Sequence, residues 1–466
     1  MSPVSEQGLI AAVESMRADG APDEAIAVFS HYYRKLESGA SGLILEADID
    51  PVTELESLAD LAIADEVAAE AFAATAVIKL NGGLATSMGL DRAKSLLPVK
   101  DATSFLDVIV AQVLAQRERL GVRLPLIFMN SFRTSADTLA AIAGYRELPV
   151  PGLPLDFLQN REPKLRRDDL HPVEWPADPS LQWCPPGHAD LYPALRSSGV
   201  LDALLEQGFR FAFCSNSDNL GAVASPQIAG WMAANEIPFA LESTRRTAAD
   251  RKGGHLAIRK SDGRLVLRET AQTAPEDLDA LQDLQRHRYC NTNNLWLDLQ
   301  ALKQLLDRTD GVLDLPLIRN VKTVDPQDSS STEVIQIEAA MGAAVEVFEG
   351  ARSILVERDR FVPVKTTNDL LLLRSDQYEL SAAGDLRASP DRATDADTFV
   401  ELDSRYYKLI RDFDERFPQG SPSLRAATSF VVRGDITFGA GVVVRGDVAV
   451  DAEQHGGRIE AGAVLS

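Results

Sequence analysis

Val77-Ile78-Lys79-Leu80-Asn81-Gly82-Gly83-Leu84-Ala85-Thr86-Ser87-Met88-Gly89, with Lys94-Ser95 shortly after, is the stretch from which the rest of the chain can be read. Its opening, Ala76 to Leu80, is a short apolar run holding one lysine, which predicts a buried strand. The glycine pair that follows permits positive φ and close backbone approach. Consecutive exposed N–H groups can then cradle phosphate oxygens. Two commoner phosphate loops are excluded. Leu84 stands where G-x-G-x-x-G needs its second glycine, and Gly89 is followed by Leu90 rather than the Walker lysine. A tight structural turn is the plain alternative. The lysine in register, with the polar endings of the other strands, favours a phosphate site.

Working outward, Pro125 to Met129, Phe209 to Cys214 and Phe239 to Glu242 read as further strands, with a helix from Ser104 to Leu120. Short apolar runs alternating with helical patterns predict a doubly wound α/β sheet flanked by helices. Several runs empty into small polar residues, such as Asn130-Ser131 and Ser215-Asn216-Ser217-Asp218-Asn219. Ligands in open α/β sheets bind beyond the carboxyl ends of strands, so these endings predict one shared crevice. Residues 1–70 read as an N-terminal helical region, with helices over Glu6 to Met16, from Asp23 onward, and around Leu55 to Ala71. Residues 71–425 form the α/β domain, in which the segment from 366 onward reads as helical and charged. Residues 426–466 carry a repeat: Phe430, Ile436, Val442 and Val448 recur every six residues, as do Val432, Phe438, Val444 and Val450. That period predicts a short parallel β-helix. The Arg-Gly-Asp triplets at 433–435 and 445–447 read as turn corners.

The 466 residues exceed one compact core, and 45% hydrophobic with 25% charged is an ordinary globular composition. A formal net charge of -22 argues against a general nucleic-acid partner, which needs cations to displace condensed counterions. Local cations and backbone amides can still hold a small anion. Cys184, Cys214 and Cys290 are scattered and odd in number, which suits a reducing compartment and gives no zinc spacing. The N-terminus lacks a signal-peptide pattern and no run approaches a membrane span, so a cytoplasmic protein without a membrane partner is expected.

Five further segments offer chemistry, each with a bland alternative. Pro185-Pro186-Gly187-His188 gives a stiff approach, a permissive glycine and a histidine able to donate to a hydroxyl or phosphate; an ordinary loop histidine is the other reading. Asp218 at a strand end could hold Mg²⁺, or close an Asx-turn. Asn291-Thr292-Asn293-Asn294 suits paired sugar hydroxyls, or a turn, and Glu269 offers a carboxylate acceptor for such hydroxyls, or is an ordinary strand-end acid. Lys365, in Pro363-Val364-Lys365-Thr366-Thr367, could stabilise charge on a leaving pyrophosphate, or lie idle on the surface.

Together these segments resemble the eukaryotic-type UTP–glucose-1-phosphate uridylyltransferases. Lys79 to Gly89, then the motifs at 185, 215, 291 and 363, follow in that family's order. The resemblance implies a nucleotidyltransferase-like mixed sheet, a left-handed β-helix tail, Mg²⁺ dependence, and UTP with a sugar 1-phosphate as substrates. It places Leu80, Asn81, Gly82, Gly83, Gln159 and Gly187 at the nucleotide. It places His188, Asn216, Glu269, Asn291 and Asn293 at the sugar phosphate, Asp218 on the metal, and Lys94 and Lys365 on the phosphates. Ala85 replaces the family's third loop glycine, and Asp91-Arg92-Ala93 stands where lysine, glycine and proline are common. The expected reaction is in-line attack of the sugar phosphate on the α-phosphorus of UTP. An N-acetylhexosamine or broad-specificity pyrophosphorylase and a non-catalytic UTP sensor are the alternatives. A hexapeptide acyltransferase would need more coils than the tail supplies. Homo-oligomer formation, the role of the N-terminal helices and effector control stay open.

Overall fold

The computed structural model describes residues 3–84, 88–90, 92–100, 102–247, 250–251, 253–393 and 398–466. Ala85 and Asp91, singled out above, lie outside the described residues. Eight strands form the main path of the central sheet: β1 (Glu56–Ser57), β2 (Thr75–Leu80), β3 (Leu126–Asn130), β4 (Asp156–Leu158), β5 (Phe211–Asn216), β6 (Phe239–Arg245), β7 (Tyr289–Asp298) and β8 (Arg352–Leu355). Their order is β1-β8-β6-β7-β5-β2-β3-β4. Neighbours run parallel except at β7, which is antiparallel to both β5 and β6. The carboxyl ends of β2, β3, β5, β6 and β8 therefore share one edge with the beginning of β7. A mixed sheet with its polar strand endings on one rim is the result.

The sheet is covered on both faces, which is why its strands read as continuous apolar runs. Alternation along each strand sorts the side chains. Val77, Phe213, Ala240 and Trp296 join one apolar cluster with the helices Phe105–Leu120 and Pro226–Ala234. Ala76, Ile78, Ala212, Cys214 and Leu241 join the other, with the N-terminal helices Pro3–Ala18 and Asp23–Glu37 and the helix Leu299–Arg308. The helix Phe105–Leu120 begins where Ser104 and Asp107 cap each other's backbone N–H, and ends at Gly121 in a left-handed turn.

Two local expectations change. The helix predicted around Leu55 to Ala71 spans only Asp65–Ala73. Ahead of it Glu56 and Ser57 pair with Ile354 and Leu355, and the Glu56 carboxylate accepts from Trp231 Nε1 at 3.0 Å. A distant strand edge and a distant indole supply the partners that a helical turn would have provided. The segment after residue 366 is likewise not helical throughout. Helices Thr367–Arg374, Ser404–Tyr407 and Ile410–Arg416 alternate with a hairpin, Tyr378–Leu380 with Leu386–Ala388, and the strand Phe399–Leu402. That strand pairs in parallel with Ser423–Arg433, so the tail draws in a strand from before its own repeat.

The tail stacks Phe399–Leu402, Ser423–Arg433, Val443–Asp451 and Val464–Leu465 as parallel strands, beside the pair Thr437–Phe438 and Arg458–Ile459. All eight residues of the six-residue repeat are buried, and they continue the apolar cluster that covers the sheet. Asp376 ties the two together by accepting from Ser423 Oγ and from the backbone N–H groups of Leu424 and Arg425. Of the Arg-Gly-Asp triplets, the second lies inside the strand Val443–Asp451 rather than at a corner between strands. No helix among the described residues is long and apolar enough to cross a membrane.

Candidate functional site

At the end of β2 the chain enters Asn81-Gly82-Gly83-Leu84. Asn81 spends its side chain on the scaffold: Nδ2 donates to Asn130 Oδ1 (2.8 Å) and Thr138 Oγ1 (2.9 Å), and Oδ1 accepts from Ser217 Oγ (2.9 Å). It thereby fastens the glycine turn to the ends of β3 and β5, leaving main chain rather than an amide to face a ligand. Gly82 leaves room for a neighbour. A Cβ there would stand 2.3 Å from Oε1 of Gln159, whose amide lies against the glycine. Gln159 is itself held by its backbone N–H on Asn130 O at 2.7 Å. A planar amide offering one donor and one acceptor at this place can read the edge of a base.

Beyond the turn, Gly83 O accepts from the Lys94 backbone N–H at 3.3 Å, and Leu84 bridges Ala93. The Lys94 ammonium reaches back across the cleft. Its Nζ lies 2.7 Å from Asp218 Oδ2 and also donates to Val364 O. Val364 N donates to Asp218 O at 3.1 Å, and Asn219 bridges Pro363. Three motifs spread over more than 280 positions thus meet around one lysine. Lys365 follows immediately and is exposed. Its backbone N–H, with that of Thr366, is held by Asp369 at 2.8 Å, leaving the ammonium unencumbered by the cap.

The opposite wall begins at Gly187, whose φ of +82° is left-handed. A Cβ there would press to 2.7 Å from Ala339 O, so the loop can zip onto 338–341 only with glycine. His188 Nδ1 accepts from Met341 N–H at 2.9 Å. With Nδ1 occupied as an acceptor, the neutral ring carries its proton on Nε2, a donor. Surrounding protein depresses the pKa to about 4 although the ring keeps solvent access, and the neutral form is the working one. Next along, Gly342 packs against the Asn291 amide. Asn291 and Asn293 bind each other, Nδ2 to Oδ1 at 2.9 Å and backbone N–H to Oδ1 at 3.0 Å. Asn293 sits at φ +58° where β7 shifts register against β6, a bulge that aims both amides. Glu269 follows Leu267 and Arg268. Burial raises its carboxyl above the usual range, and the charge of Lys365 opposes that shift. Leu267, two residues before Glu269, and Asn291 both lie against Gly342. Asn216 lies at the same rim, in register with Leu80.

Contacts thus gather Gly82 with Gln159 and Lys94 with Asp218 and Val364 at the strand ends, and join Gly187 and His188 to the segment 339–342 that packs on Asn291, with the Asn81 side chain turned inward. Sequence reading missed the charged floor beneath. Glu242 is fully buried and accepts from Arg360 Nε (2.8 Å) and Nη2 (2.6 Å), Trp296 Nε1 (2.9 Å) and Asn294 Nδ2 (3.1 Å). The carbonyl of Arg360 accepts from Asn219 and Asn294. Lys79, also buried, donates to Ser215 Oγ (2.8 Å) and Ala222 O (2.7 Å). Burial, then the nearby Arg360 charge, pulls it down to about 7. One signal was available: a lysine and a glutamate inside otherwise apolar strands must find partners.

Among the described residues no group of three or more His, Cys, Asp or Glu side chains is arranged to hold a metal. The donor set fits a hard cation of another kind. Asp218 presents a partly exposed carboxylate that already pairs with one cation. Mg²⁺ commonly takes one or two carboxylates and completes its shell with substrate phosphates and water.

The family model described as UTP–glucose-1-phosphate uridylyltransferase matches residues 26–445. The UTP–glucose-1-phosphate uridylyltransferase of Hordeum vulgare is 38% identical over 378 residues, covering 81% of this chain and 77% of that protein. The Saccharomyces cerevisiae protein of the same name is 38% identical over 376 residues, covering 80% and 73%. Among solved structures, UDP-glucose phosphorylase from Trypanosoma brucei superposes with a TM-score of 0.91 at 41% identity, covering 99% of this chain and 98% of that one. A mutant of Leishmania major UDP-glucose pyrophosphorylase, solved in complex with UDP-Glc, superposes with a TM-score of 0.91 at 38% identity, covering 98% of each.

Proposed function

Because this chain belongs to the UTP–glucose-1-phosphate uridylyltransferase family, we propose that it forms UDP-glucose and pyrophosphate from UTP and glucose 1-phosphate, with Mg²⁺ as its cofactor. An oxygen of the sugar phosphate attacks the α-phosphorus of UTP. A new P–O bond forms as the bond to the β-phosphate oxygen breaks, and pyrophosphate departs. The attacking phosphate is already ionised, so no side chain need take its proton. Gly82 and Gly83 pass close to the nucleotide, and Gln159 reads the uracil edge. His188 donates from Nε2, and Asn291, Asn293 and Glu269 hold sugar hydroxyls, with Asn216 beside them. Lys94 and Lys365 gather the phosphates and favour the charge that shifts onto the leaving group. Asp218 is the residue that would hold Mg²⁺, whose contribution when bound is to draw charge from the phosphates.

The observation that carries this reading is the position of Lys94, joining Gly83, Asp218 and Val364 at the sheet rim. Three buried free cysteines suit the reducing cytoplasm as the place of action. The test is pyrophosphate release from UTP with glucose, galactose and N-acetylglucosamine 1-phosphates side by side. Glucose 1-phosphate is expected to give the highest kcat/KM. Preference for another sugar overturns the glucose assignment, and UTP binding without release with any of them overturns the enzyme.

A further inference from the structure

We propose that Glu46, on the N-terminal segment, is a positioning residue for the sugar half of the site, acting through Arg268 on Glu269; this rests on the reading of Glu269 as a sugar ligand. Arg268 ends the strand Leu265–Arg268, and its side chain has no solvent exposure. A guanidinium does not shed its charge, so burial at this point obliges it to find anions. It finds two. Nη1 binds Glu46 Oε2, and Nη2 lies 2.9 Å from Asp277 Oδ2. Asp277 in turn accepts from the Glu46 backbone N–H at 2.7 Å.

Glu46 gathers the surrounding elements as well. Its Oε1 takes Arg286 Nε at 2.6 Å and His287 Nε2 at 3.0 Å. His287 stacks on His255 with ring centroids 3.7 Å apart, and His255 pairs with Arg268 across the hairpin. The backbone reinforces the clamp. Ile49–Pro51 pairs with Ala257–Arg259, and Ile44 N donates to Gln272 O at 2.8 Å. Gln272 closes the cap on Glu269, whose backbone N–H donates to Gln272 Oε1 at 2.9 Å. The residue before Glu269 and the residue that caps it are therefore both tied to positions 44–46. The side-chain bonds described for Glu46 all go to this lobe, and none goes to Gly82, Gln159 or Lys94.

The experiment compares Glu46→Gln, Glu269→Gln and the double variant in the full-length enzyme. Glu46→Gln keeps the shape and removes the charge. It should raise KM for glucose 1-phosphate on the order of 10-fold, because a misplaced ligand group forfeits orientation. KM for UTP, and calorimetric UTP binding, should stay within about twofold. In the Glu269→Gln background the same substitution should add little, since its target is already gone. A purely structural role would raise both KM values together or add its cost fully to that of Glu269→Gln, and either result overturns the proposal. An unchanged glucose 1-phosphate KM in Glu46→Gln overturns it too. Should Glu46→Gln fail to fold, Glu46→Asp keeps the charge and shortens the reach, and is held to the same split between KM values. If Glu269→Gln itself leaves the glucose 1-phosphate KM unaltered, the site assignment falls. If it raises that KM while Glu46→Gln does not, only the positioning role falls.

Discussion

Glu242→Gln is the sharpest test of how the rim is held. The wild-type carboxylate is fully buried and takes four donors, two at each oxygen: Arg360 Nη2 with Trp296 Nε1, and Arg360 Nε with Asn294 Nδ2. A glutamine keeps the shape but offers one carbonyl and one NH₂. Whichever way it turns, the NH₂ faces two donors, so two hydrogen bonds are lost and Arg360 remains as an uncompensated buried cation. Hydrogen bonds to charged groups contribute about 1.5–3 kcal/mol each. Breaking one side of a buried ion pair costs about 3–5 kcal/mol, so the two routes agree. Equilibrium urea unfolding, followed by tryptophan fluorescence, should report a loss of about 3–5 kcal/mol. Because Arg360 anchors the segment that leads to Val364 and Lys365, kcat should fall as well. A loss under about 1 kcal/mol would mean that Glu242 is not the hub that holds Arg360.

Four further outcomes are expected. Lys79 is lowered from the ordinary 10.5 to about 7, so above pH 7 the unfolded chain holds a proton that the folded one does not. Its contribution to stability therefore rises with pH between about 7 and 10, and the difference between wild type and Lys79→Met in denaturant titrations should show that slope; parallel curves refute it. Lys365→Ala should cut kcat on the order of 10²–10³-fold with an unchanged circular dichroism spectrum, and near-normal turnover removes Lys365 from the reaction. Chelation by EDTA should stop pyrophosphate release and Mg²⁺ should restore it; release that continues in EDTA counts against metal at Asp218. His188, held neutral with its pKa near 4, should contribute no ionisation to kcat/KM between about pH 5.5 and 8, so His188→Gln should run parallel to wild type; an inflection in wild type that the variant lacks would show that the ring does titrate.

The sequence by itself carried what is local. A strand buried on both faces is mostly apolar, so Thr75–Leu80, Leu126–Asn130 and Phe211–Asn216 could be read within two residues of their observed ends. Phe430 through Val450 declared the tail by period, because each coil must bury the same positions. Motifs at strand ends pointed to one rim, since that is where an α/β sheet leaves its backbone groups and polar residues open. Partnership was decided elsewhere. Glu56–Ser57 became an edge strand, and Phe399–Leu402 joined the tail, through hydrogen bonds to chain far away in sequence. The Asn81 side chain serves as a brace, because Asn130, Thr138 and Ser217 arrive around it only when the sheet forms. Glu242 and Arg360, or Glu46 and Arg268, are each unremarkable charges in the linear chain. Burial makes them obligatory partners, and burial is a property of the tertiary structure alone.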